Sequence, residues 1–133
     1  MVLFRDVLEV PTEKGISYVD LTERIAKLVK ECKIVEGMCN IFVPATTAAL
    51  MVNENDRMLI EDFRRTFNAI DERKLYSHTQ NAFSHLRTNL LDTEKTIPVS
   101  SGKLLLGEWQ SIMLWEFDTK PRQRNIVITV TGD

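Results

Sequence analysis

The chain has 133 residues, 44% of them hydrophobic and 27% charged, with 17 basic against 19 acidic side chains and a net charge of -2. That length holds one ordinary domain, residues 1–133, and the composition excludes the disordered and fibrous classes. The near-neutral balance offers no broad field to nucleic acid or an anionic membrane, and no apolar run approaches the roughly 20 residues of a bilayer span.

In chain order, Val2–Val10 reads as a strand, and its charged Arg5, Asp6 and Glu9 speak against a secretory signal, so the expected compartment is cytoplasmic. Lys14 and Gly15 turn the chain into a second strand, Ile16–Val19. Asp20 caps a helix, with Glu23 as its partner three residues on, and Leu21, Ile25, Leu28, Val29 and Cys32 recur behind them at helical spacing. Gly37 ends the connection, and Met38–Val43 reads as a buried strand stopped by Pro44. Cys32 and Cys39 are too few for a disulfide framework and read as buried, inert thiols.

Ala48–Asn53 is the next strand. Asn55 or Asp56 then caps a helix whose inner face is Leu59, Phe63, Phe67 and Ile70. A shorter helix carries Phe83, Leu86 and Leu90, and starts either early, at Ser77 with Gln80, or late, at Asn81. Ile97–Val99, Lys103–Leu106, Gln110–Phe117 and Asn125–Thr131 close the chain as strands, separated by turn residues such as Gly102, Gly107 and Pro121. Strands, helix, strands, helices, strands: that order predicts a layered α+β fold rather than a regular βαβ wind.

Candidate chemistry sits at several junctions. Thr46 and Thr47 follow Pro44, and their hydroxyls either face an anion or bond their own turn. Asn53, Glu54 and Asn55 stand before a helix, where an asparagine caps and Glu54 is either a solvated carboxylate or a catalytic acid or metal ligand. His78 and His85 are the only histidines. On one helix they would lie about 10 Å apart along the axis, awkward for one metal ion; with His78 in the loop before the helix, it can fold back towards His85. Glu116 shares a strand face with Ile112 and Leu114, so it either finds a partner, shifts its pKa upward, or marks the wet end of the strand. Arg122 and Arg124, in the run PRQR, offer a planar fork to phosphate or carboxylate, or simply a solvated turn.

Together, PATTAALMVNEN, YSHTQNAFSHL, IPVSSGKLLLGEWQ and EFDTKPRQRNIVITVTG resemble the successive signatures of the YjbQ family, whose members are often labelled secondary thiamine-phosphate synthases. The match runs in order from about Gly37 to the C-terminus, and the helix before it also fits. The resemblance implies an α+β fold, an antiparallel sandwich or half-barrel with about three helices, assembled as a homotrimer. It also implies a polar pocket in which His78 and His85 bind a divalent metal such as zinc or move a proton, with Glu54 as a further catalytic candidate. Thr46, Thr47, Asn53, Asn55, Gln110 and Arg124 are the matching candidates for holding a small-molecule phosphate or other anion. Nucleic acid is not an expected partner.

The chain departs from the family pattern at Ala45, where the first motif usually has a histidine, and at Glu108 and Ser111, where threonine and glycine are usual. A methyl group neither binds a metal nor moves a proton. Two functions therefore stand as expectations: thiamine-phosphate formation at the histidines, or non-catalytic ligand binding or assembly by an altered site.

Overall fold

A computed structural model describes residues 1–133. Its elements run β1 (Val2–Thr12), β2 (Ser17–Asp20), α1 (Thr22–Cys32), β3 (Gly37–Phe42), β4 (Ala48–Asn53) and α2 (Arg57–Asn68). They continue with α3 (Ala82–Thr88), β5 (Glu94–Ser100), β6 (Lys103–Leu104), β7 (Ser111–Glu116) and β8 (Arg122–Gly132). One five-stranded sheet has the order β1-β8-β3-β5-β6, and a three-stranded sheet has β2-β7-β4. Every pairing is antiparallel, so the expected α+β sandwich or half-barrel with three helices is the fold observed. No helix is long and apolar enough to cross a membrane.

Period-two alternation fills the space between the sheets. Leu8 and Val10, Cys39 and Ile41, Ile97 and Val99, and Ile126, Ile128 and Val130 leave the large sheet on one side. They meet Leu50, Ile112 and Leu114 of the small sheet, with Ile25 and Val29 of α1 completing the same cluster. β7 is buried on both faces: Met113, Trp115 and Phe117 point the other way, under Ile60 and Phe67 of α2. The Trp115 ring stacks on Tyr18 and meets the edge of Phe67, both at 5.1 Å between centroids.

Packing revises several local expectations. Asp20 forms no reciprocal box with Glu23; its carboxylate accepts from the Thr22 amide at 2.9 Å and hydroxyl at 2.6 Å, and Leu21 takes the cap position without a side-chain bond. Asp56 caps α2 through the Leu59 amide at 3.0 Å. In α2 the deepest side chains are Ile60 and Phe67, while Ile70 lies past the helix end. β3 is buried on one face only, because nothing covers Met38 and Phe42. Cys39 is buried, and burial together with Cys32 pushes its thiol up to about 12, but Cys32 is only half-buried.

α3 buries Ala82, Ser84, Arg87 and Thr88, whereas Leu86 and Leu90 stay exposed. Arg87 is drawn inward because its Nε donates to the Phe67 carbonyl at 3.0 Å and its Nη2 to the Ile70 carbonyl at 2.9 Å. The first carbonyl lies in the last turn of α2 and the second just past its end, so Arg87 fastens α3 to that end.

A carboxylate lies inside the sandwich. Glu116 is fully buried, and Arg124 grips it as a fork: Nε donates to Oε1 at 2.7 Å and Nη2 to Oε2 at 2.6 Å. The Thr12 hydroxyl donates to Oε1 at 2.7 Å, and the Asp118 amide to Oε2 at 3.0 Å. Arg124 Nη2 also donates to Thr47 Oγ1 at 2.8 Å. β1, β7, β8 and the turn before β4 therefore meet at one satisfied ion pair. Replacing Arg124→Met leaves the carboxylate buried without its cation and should cost about 3–5 kcal/mol, whereas Arg124→Met with Glu116→Gln should regain much of that loss. Urea melts of parent, single and double variants read this directly; a single variant as stable as the parent would show that the pair does not hold the sheets.

Candidate functional site

α3 begins after Asn81, so His78 lies in the preceding loop and not on the helix. That late start lets the loop double back, and the His78 ring stacks on His85 with centroids 5.1 Å apart and planes at 29°. No hydrogen bond within the chain occupies a nitrogen of either ring, so both rings keep their donors and acceptors for something else.

His85 lines a cleft of about 410 Å³ with Ala45 and Thr46 from the turn before β4. Thr88, Asn89 and Asp92, from the end of α3 and the stretch leading to β5, close its other side. The volume falls within the roughly 300–1,000 Å³ of small-molecule sites. Thr47 does not reach the cleft: it is buried and accepts from Arg124. Arg124 thus approaches this turn from the core side, with its charge matched by Glu116.

Asn53, Glu54 and Asn55 lie at the opposite end of β4, about 20 Å away at the rise of an extended strand. Asn53 Oδ1 accepts from the Glu54 amide at 2.8 Å. Asn55 accepts from the Tyr18 hydroxyl and donates to the Asp20 carboxylate, each at 2.8 Å. Gln110 belongs to that end too, since its neighbour Ser111 pairs with Asn53, and its Oε1 accepts from the Gly107 amide at 2.8 Å. The chain brings His78, His85 and Thr46 together and separates them from Asn53, Glu54, Asn55 and Gln110.

Asp118 is a second buried carboxylate at this end, and no motif in the sequence marks it. Its Oδ2 accepts from Arg122 Nε at 2.7 Å, and its Oδ1 from the Thr119 amide at 2.8 Å and Asn81 Nδ2 at 3.5 Å. It therefore ties the start of α3, and with it the histidine loop, to the β7–β8 turn. The signal was faint: an acid and an arginine four apart across a proline turn look solvated in any sequence.

Two imidazoles are half of a zinc ligand set. No three His, Cys, Asp or Glu side chains of the chain stand together as metal ligands. The chain does not by itself complete such a site at Ala45, His78 and His85.

Burial pushes the Asp118 carboxyl up, but the Thr119 amide, the Arg122 guanidinium and the Asn81 amide outweigh it and hold the group below its ordinary 3.8. A lowered folded value means that the ionised form favours the fold. Its contribution is complete above the unfolded value and is lost as pH falls through the lowered one. Asp118→Asn should accordingly lower Tm at neutral pH, and the gap to the parent should close as pH falls below the ordinary carboxyl value of 3.8. Melts across the acid range test this; a gap that stays constant would mean that Asp118 acts by shape and not by charge.

Comparison with known proteins places these features in a group. The description "UPF0047 protein YjbQ-like" matches residues 6–133. A UPF0047 protein of Archaeoglobus fulgidus is 35% identical over 125 residues, covering 91% of this chain and 96% of its own. A UPF0047 protein of Methanothermobacter thermautotrophicus is 32% identical, covering 99% of this chain and 94% of its own. The crystal structure of a YbjQ-like protein of unknown function from Sulfolobus solfataricus superposes with a TM-score of 0.90 at 30% identity, covering 99% of this chain and 100% of that one. A hypothetical protein from Aeropyrum pernix gives 0.88 at 29% identity, with both chains fully covered at 100%.

Proposed function

This chain belongs to the UPF0047 YjbQ-like family, and on that premise we propose that it binds a small molecule bearing phosphate or another anionic group in the cleft beside His85. The supporting observation is that His85, stacked on His78, lines the cleft beside Thr46 with its ring nitrogens free of protein partners. Imidazole N–H groups and a threonine hydroxyl are suitable donors to anionic oxygens. Thiamine-phosphate formation is the turnover implied by resemblance, with His78, His85 and Glu54 as its groups. Two observations favour binding without that turnover: the Ala45 methyl lines the cleft, and Glu54 stands at the far end of β4. A divalent cation such as zinc would draw two ligands from His78 and His85 and the rest from water, the bound anion or a second copy.

Calorimetry with inorganic phosphate and with zinc separates these parts. His78→Ala and His85→Ala should each weaken binding about tenfold with little change in Tm, and Ala45→His should strengthen zinc binding at least about tenfold. An unchanged zinc affinity in a folded Ala45→His protein would mean that the histidines do not surround a metal. Large destabilisation of both histidine variants, with no ligand response in the parent, would make the pair a packing feature.

The homotrimer is part of the same proposal. The outer face of the five-stranded sheet has no covering layer, and on it Leu3, Val7, Met38 and Phe42 are 59%, 46%, 50% and 40% exposed. The polar row between them is satisfied within the face, through Arg5 to Thr129 and Asn40 to Thr96. Such a face suits burial against another copy. Light scattering after size exclusion should give about three times 15.3 kDa; a monomer at micromolar concentration removes this part of the proposal.

A further inference from the structure

We propose that the groove between α1 and the β5–β6 turn binds an amphipathic anion, an extended apolar body carrying one carboxylate or phosphate head. The groove encloses about 590 Å³ and shares no residue with the cleft beside His85. One wall is a helix stripe: Thr22, Ala26 and Lys30 recur every four residues on one side of α1, next to the face that sends Ile25 and Val29 into the core, and Lys33 follows at the left-handed C-cap. At the rise of an α-helix this wall is about 16 Å long. Lys103, Leu104 and Leu106 form the opposite wall, and Ile34 and Val35 close the end between them.

Three ammonium groups and no carboxylate line this space. Lys30, Lys33 and Lys103 form no ion pair; the pair on α1 joins Lys27 to Glu31, at 3.9 Å, outside the groove. Glu36, three residues after Lys33, is held elsewhere: its Oε1 accepts from the Ser101 amide at 3.0 Å and the Ser100 hydroxyl at 3.4 Å. On a chain with net charge -2, three unmatched cations over an apolar floor are complementary to one class of ligand.

The groove also has a direction. The Gly102 amide donates to the Val35 carbonyl at 3.0 Å, which sets Lys103 at the same end as Lys33. The charged head belongs there, at the C-terminal end of α1, and the apolar body runs along Ala26, Leu104 and Leu106. Lysine acts as a point charge and serves a carboxylate or a phosphate equally.

Decanoate, decyl phosphate and decanol, titrated by calorimetry, test the inference and separate the two head groups. At least one anion should bind at least about tenfold more tightly than decanol, and Lys30→Glu or Lys103→Glu should each weaken it about tenfold with Tm unchanged. Backbone amide shifts should map the site to Lys30–Val35 and Ser101–Leu106. His85→Ala should leave this binding intact, so its failure and that of the cleft beside His85 are distinguishable. Decanol binding as tightly as both anions, an unaltered affinity in Lys103→Glu, or no binding of either anion overturns the inference.

Discussion

A single carboxylate organises one end of this sandwich. β7 must bury both of its faces, and the alternation that sends Ile112 and Leu114 into the core sends Glu116 there as well. An ionised group in that position is tolerated only with a cation and further donors around it. β8 supplies Arg124, β1 supplies Thr12, and the backbone after β7 supplies the Asp118 amide. The two sheets can close only in the register that brings those groups to Glu116.

The candidate site follows from that closure. Arg124 draws the Thr47 hydroxyl inward. Its neighbours Thr46 and Ala45 then line the cleft outside. The family-like turn is thus divided, with one threonine completing a core ion pair and the other available to a ligand. A residue change at Arg124 acts on both, because it loosens the turn that presents Thr46.

The second wall of the cleft rests on α3, a short helix that has little stability of its own. Arg87 fastens it to the end of α2, and Asp118 fastens its start to the β7–β8 turn through Asn81. The stacked imidazoles sit on this twice-anchored element. The interior acids of this end are each matched by an arginine, Glu116 by Arg124 and Asp118 by Arg122. The lysines beside α1 contrast with them, having no acid opposite and an apolar floor beneath.

Much was legible in the sequence where the signal is local or where whole motifs align. β4 has the expected bounds, Ala48–Asn53, and the core stripe Leu21, Ile25 and Val29 is the one that helical spacing marks. The two faces of β7 follow from period-two alternation, and four ordered motifs pointed to the family and its α+β fold. Tertiary structure alone decided which side of α3 is buried: leucines at 86 and 90 suggest one face, but Arg87 turns inward to donate to carbonyls at and just past the end of α2. It alone decided that His78 stacks on His85, since either helix start fitted the spacing. It alone separated Asn53, Glu54 and Asn55 from the histidines, although both groups belong to adjacent motifs. Local periodicity reports which residues avoid water. Which polar groups meet is set by the register between strands far apart in the chain, and no local pattern encodes that.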